Sequence, residues 1–85
     1  MKITVLYFAS LRETLGIDRE SVVLPPHVQT AAHLRAWLCA RGGVWSELLA
    51  EGRALRMAVD RKLASADTPL ADGTEVAVFP PVTGG

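Results

Sequence analysis

One cysteine, two lysines, two histidines and no surplus of either charge leave this 85-residue chain short of most of what a small enzyme works with. Cys39 alone cannot close an internal disulfide, which suits a reducing compartment. Nine basic and nine acidic residues cancel, so there is no electrostatic footprint for nucleic acid or for an anionic membrane. No apolar run approaches the ~20 residues that span a bilayer, and the N-terminus lacks the charged-then-apolar layout of a signal peptide. The cytoplasm is the expected location. A phosphate-cradling loop is missing too, because Gly42-Gly43 is not followed by the lysine and hydroxyl that such a loop supplies.

The candidate reactive side chains read as ordinary ones. His27 follows two prolines and His33 sits on a helix with no acidic or cysteine partner at metal-ligand spacing, so both are expected in solvent. Cys39 lies beside Leu38, reads as a small buried or half-buried residue, and has no base or cation near it in sequence to activate it. Asp18, Glu20, Glu47, Glu51, Asp60, Asp67, Asp72 and Glu75 are scattered and read as solvated charges.

The chain does have enough apolar residues, at 49%, for one small core, and a clear order of elements. Lys2 to Phe8 is a β-rich run with Ile3, Val5 and Tyr7 on one face and Thr4, Leu6 and Phe8 on the other, as in a central strand. Ser10 is placed to cap a short helix through Leu15, with Glu13 three residues on and Gly16 as its stop. Ser21 to Leu24 reads as a second strand. Thr30 is placed to cap the main helix, in which Ala31, Leu34, Trp37, Leu38 and Arg41 share one face before Gly42-Gly43 ends it. Val44 to Glu51 reads as another helical piece, Leu55 to Val59 as a strand, Lys62 to Ala64 as a short one, and Glu75 to Phe79 as the last. Val76 and Val78 of that strand point inward, Ala77 and Phe79 outward. The predicted core is Ile3, Val5, Leu34, Leu38, Val59, Val76 and Val78.

This order predicts an α+β domain over residues 1–79, with a mixed sheet of four to five strands and the helices on one face. That is the β-grasp, or ubiquitin-like, arrangement. Residues 80–85 are predicted to form an extended tail, since Pro80 and Pro81 fix φ and favour a polyproline-like path. Glycine lacks Cβ, so Gly84 and Gly85 suit a channel too narrow for other residues. Six residues at ~3.3 Å each reach about 20 Å, enough to enter another protein. If the chain takes part in catalysis, the tail is where it does so. A terminal carboxylate is a poor electrophile until a partner converts it to an anhydride with a nucleotide. An amine attacking the activated carbonyl would give a protein conjugate, and a sulfur nucleophile a thiocarboxylate.

The run Leu70-Ala71-Asp72-Gly73-Thr74-Glu75-Val76-Ala77-Val78-Phe79-Pro80-Pro81-Val82-Thr83-Gly84-Gly85 closely resembles the end of the small subunits of molybdopterin synthase. The opening Val5-Leu6-Tyr7-Phe8-Ala9-Ser10-Leu11-Arg12-Glu13, with Gly16, is similar to that family's first strand and helix. The resemblance implies a sulfur carrier that is not catalytic alone but serves as the sulfur-donating subunit of a sulfurtransferase. Gly85 would be adenylated and then carry the thiocarboxylate that builds the dithiolene of molybdopterin on a cyclic pyranopterin. Gly84, Thr83, Val82, Pro81 and Pro80 would thread the large subunit's pocket, and Phe79, Leu6 and Phe8 would contact the partner. The implied partners are the large synthase subunit in a heterotetramer, an adenylating enzyme that uses ATP, and a sulfurtransferase. No cofactor or metal would be bound directly. Two positions depart from the family pattern. Asp60-Arg61 stands where Asn and a polar residue are common, and Thr74 where an acidic one is. The alternatives are a carrier for thiazole synthesis or tRNA thiolation, a ubiquitin-like covalent modifier, and a noncovalent module binding through the Leu6 and Phe8 face.

Overall fold

The computed structural model describes residues 1–81. Its elements run β1 (Lys2–Tyr7), α1 (Ala9–Leu15), β2 (Arg19–Val23), α2 (Ala31–Cys39), α3 (Val44–Leu48), β3 (Arg56–Val59), β4 (Lys62–Leu63) and β5 (Glu75–Phe79). The five strands form one sheet in the order β2-β1-β5-β3-β4. β1 and β5 pair in parallel at its centre, and every other pairing is antiparallel. A parallel central pair needs a long crossover, and here α2, α3 and the β3–β4 hairpin supply it. The β-grasp expectation holds.

Alternation along the central strands decides the layering. Ile3, Val5, Tyr7, Val76 and Val78 are buried beneath Leu11 of α1 and Ala31, Leu34 and Leu38 of α2, so all the helical cover lies on one face. Leu24, Val28, Leu49 and Leu70, from the connections, complete the same core. Val59, expected in the core, only packs against its margin, because β3 lies next to the short edge strand β4 and the helices do not reach fully over it.

Several predicted boundaries shift for identifiable reasons. Ser10 does not cap α1: the cap is Phe8, still extended from β1, whose carbonyl accepts from the N–H groups of Leu11 and Arg12. The turn into α1 falls on Ala9, at φ 53°, which leaves Ser10 inside the helix. Gly16 does end it, at φ 77°. β2 starts two residues earlier than predicted, since Arg19 and Glu20 pair with Leu6 and Val5, and an edge strand accommodates charged residues. Thr30 caps α2 as expected, accepting from the His33 N–H. The helix ends at Cys39 and not at the glycines, because Arg41 and Gly42 bond back three residues, to Leu38 and Cys39, in tighter turns. α3 stops at Leu48, short of Glu51. The Arg35 guanidinium occupies the carbonyls just beyond it, donating to Leu49, Ala50 and Arg53 oxygens, and so takes the place of further helical bonds.

Candidate functional site

The site begins where β5 ends. Phe8 N–H donates to the Val78 carbonyl at 3.2 Å, extending the central parallel pair by one bond past Tyr7. On the other side Phe79 pairs with Arg56 of β3. Pro80 and Pro81 carry no N–H, so the ladder cannot continue and the chain must leave the sheet there. Pro80 and Pro81 are both half-buried at this exit. Val82, Thr83, Gly84 and Gly85, the predicted threading and reacting residues, lie outside the described residues.

The face of the sheet away from the helices runs up to this exit. Pairing registers set its rows, because directly opposed residues share a face. One row reads Arg19, Leu6, Ala77, Ala58, Leu63, and the next, at the exit, Phe8, Phe79, Arg56. Leu6 and Phe79 are half-buried, Phe8 is 43% exposed and Leu63 66% exposed. The three predicted contact residues therefore stand together on one uncovered, largely apolar surface at the root of the tail.

The other candidates are structural. His33 Nδ1 accepts from the Gln29 N–H while its own N–H is held by Thr30, which ties both groups to the start of α2. His27 is exposed. Cys39 is half-buried, with Sγ 3.9 Å from the Ser46 carbonyl. It lines an apolar groove of about 660 Å³ between α2 and β3, with Ala32, Ala36 and Met57. Arg35 and Arg56 also border the groove, and Arg35 is committed to the carbonyls after α3. No cluster of His, Cys, Asp or Glu suited to a metal occurs among the described residues, and no helix there is long and apolar enough to cross a membrane.

The geometry is thus a rigid platform with an apolar face and a chain exit, and kinship agrees with it. Residues 5–85 match the ThiS family. The chain belongs to that family. It is 45% identical over 83 residues to the molybdopterin synthase sulfur carrier subunit of Escherichia coli, covering 98% of this chain and 99% of the relative. The corresponding protein of Haemophilus influenzae is 36% identical over the same shares. A solved complex of subunits 1 and 2 of the molybdopterin-converting factor from Helicobacter pylori contains a similar chain, with TM-score 0.68, 26% identity and full coverage of both.

One constellation of polar side chains lies away from the tail. Glu20 is not a solvated charge: it accepts from the Tyr7 hydroxyl at 2.7 Å and from both terminal nitrogens of Arg41 at 2.8 and 3.0 Å. Burial opposes its ionisation, yet the bonds from Arg41 and Tyr7 outweigh this and hold the carboxyl below its ordinary value. Burial and the Glu20 carboxylate together push the Tyr7 phenol far upward, so it stays protonated. Arg41 lies 4.4 Å from the Trp45 ring centre and 5.3 Å from that of Trp37, within cation–π range of both. The spacing Trp37, Arg41, Trp45 was a visible signal. The distant Glu20 was not. This cluster fastens β1 and β2 to the α2–α3 corner and leaves the tail exit untouched.

Proposed function

We propose that this protein is the sulfur-carrier subunit of a molybdopterin synthase, with Gly85 as its reacting residue. The observation that carries the reading is kinship over nearly the whole chain with two proteins of that name, in a sequence that carries Gly84-Gly85 after the central strand β5. The same kinship weighs against a carrier for thiazole synthesis or tRNA thiolation and against a protein modifier.

We assign the activating machinery to partners, an adenylating enzyme and a sulfurtransferase. A carboxylate ionised at neutral pH attacks the α-phosphorus of ATP on an adenylating enzyme, and pyrophosphate leaves. Hydrosulfide then attacks the Gly85 carbonyl, or a persulfide does so to give an acyl disulfide whose S–S bond a thiol cleaves, leaving with the sulfurtransferase sulfur as a disulfide. AMP departs with the carbonyl–oxygen bond's electrons, and a thiocarboxylate remains. In the large synthase subunit that sulfur is donated to a cyclic pyranopterin, and hydrolysis returns the carboxylate for another round. The carrier's contribution is positional. Its sheet fixes where the chain leaves the domain, and its open face seats the partner, so the sulfur arrives at a set depth.

Deleting Gly84 and Gly85 tests this. Conversion of the precursor by the reconstituted synthase should be abolished while the thermal midpoint stays unchanged, because the core ends at Val78. Normal conversion by the shortened chain would sink the proposal. Gly85→Ala should fail mainly at adenylation, where the added methyl crowds the reacting carbonyl, and pyrophosphate release measures that step separately.

A further inference from the structure

The open face has a charge order as well as an apolar centre. Arg19 ends the apolar row on β2, and Arg56 faces Phe79 on β3, three strand spacings away. At ~4.8 Å per spacing and one row of offset, the two guanidinium-bearing positions straddle the tail root at about 15 Å. Both are exposed. Neither has a carboxylate within ion-pair distance among the described residues, where Arg41–Glu20 is the one ion pair. The opposite end of the face carries acid instead. Glu75 lies beside Thr4, and Asp60 follows β3 against it, with the Asp60 carboxylate accepting from the Glu75 N–H. Arg61 is exposed and borders the same hollow as Asp60 and Glu75, so that end is of mixed charge with acid in excess, while the end where the tail leaves carries the two arginines.

We propose that Arg19 and Arg56 are orientation contacts for the large synthase subunit, which meets them with two carboxylates flanking the mouth of the channel that takes the tail. This rests on the function proposed above and names the partner chemistry of that same face. An apolar patch alone tolerates rotation of one partner on the other. Two cations astride the exit, each met by a carboxylate of the partner, fix one docking sense, because a rotated partner leaves both charges unpaired. The face is continuous with the chain's exit at Pro80 and Pro81, and the proposed function supplies its occupant, the large subunit.

The test is binding of the full chain to the purified large subunit of the same organism, by surface resonance or calorimetry across a salt series. The double variant Arg19→Glu, Arg56→Glu should bind at least about tenfold more weakly, mainly through slower association, and with a flatter salt dependence than wild type. Arg19→Gln with Arg56→Gln should fall between, with an unchanged thermal midpoint. A control of equal charge change away from this face, Arg53→Glu with Lys62→Glu, should bind like wild type. Equal affinity and salt slope for the face variant, or an equal loss in the control, would overturn the inference. So would a loss seen only with the adenylating enzyme, which would make that enzyme the occupant. Failure of the wild-type chain itself to bind would count against the proposed function, and the inference would fall with it.

Discussion

The two faces of this one sheet are made by the same strands and share little else. Inward, Ile3, Val5, Tyr7, Val76 and Val78 are each at most 1% exposed. Outward, their immediate neighbours Leu6, Ala77 and Phe79 are half-buried, and Phe8 is open to solvent. An apolar residue every second position gives a core. Apolar residues at every position give a core and a second surface that folding has not used. Stability therefore resides on one side of the strands, and the ability to hold a partner on the other.

The largest effect expected from breaking this division is on the inner side. Leu34→Ala should cost about 2–5 kcal/mol in urea unfolding, since a fully buried leucine leaves a cavity that α2 cannot close. Leu6→Ala, on the same sheet but outward, should cost well under half as much and weaken partner binding instead. If the two substitutions cost equal stability, the outer face is part of the core and the comparison fails.

How much of this was legible depended on whether the cause was local. Alternation in Lys2–Tyr7 and Glu75–Phe79 announced two strands with both faces apolar, and hence a central position. Thr30 announced a helix start because its partner is three residues away. The ending of α3 could not be read, since the arginine that occupies the carbonyls just beyond it comes from α2. Nor could the early start of β2, which is dictated by its register on β1. In the site, the aromatic and proline residues at the tail root were visible as a run. The significance of Arg19 and Arg56 was not, because only the strand order places them on either side of that run.

Tyr7 sharpens the comparison, as the one inward residue of β1 with a polar end. Its hydroxyl bond to the Glu20 carboxylate should be worth about 1.5–3 kcal/mol, read as the loss in Tyr7→Phe at neutral pH. The pH signs differ for the two partners. Tyr7 has a folded pKa raised above its ordinary 10.0, so its contribution is full below pH 10 and declines as pH rises beyond it. Glu20 is depressed below 4.5, so its contribution is present above that pH and is lost as pH falls through the lower folded value. Tyr7→Phe should therefore remove much of the alkaline decline while leaving an acid decline, carried by Arg41, in place. An unchanged alkaline limb in the variant would assign that decline to other groups.

The smallest effect is expected where both faces end, at the two-residue turn between β3 and β4. Asp60 and Arg61 have φ of 47° and 71°, the left-handed pair that a tight hairpin requires. Asp60 has a reason to be there, since its carboxylate accepts from the Glu75 N–H at 3.0 Å. Arg61 makes no side-chain hydrogen bond among the described residues, yet it carries the steric cost of Cβ in that conformation, about 1 kcal/mol or a little more. Glycine at this position removes the clash but adds freedom to the unfolded chain, which returns roughly 0.5–1 kcal/mol of the gain. Arg61→Gly should then raise stability by about 0.5 kcal/mol and leave large-subunit affinity unchanged, because the turn stands at the acidic end of the face, away from the tail. A fall in affinity with the stability gain intact would extend the partner's footprint across the whole face, from the tail root to the far hairpin.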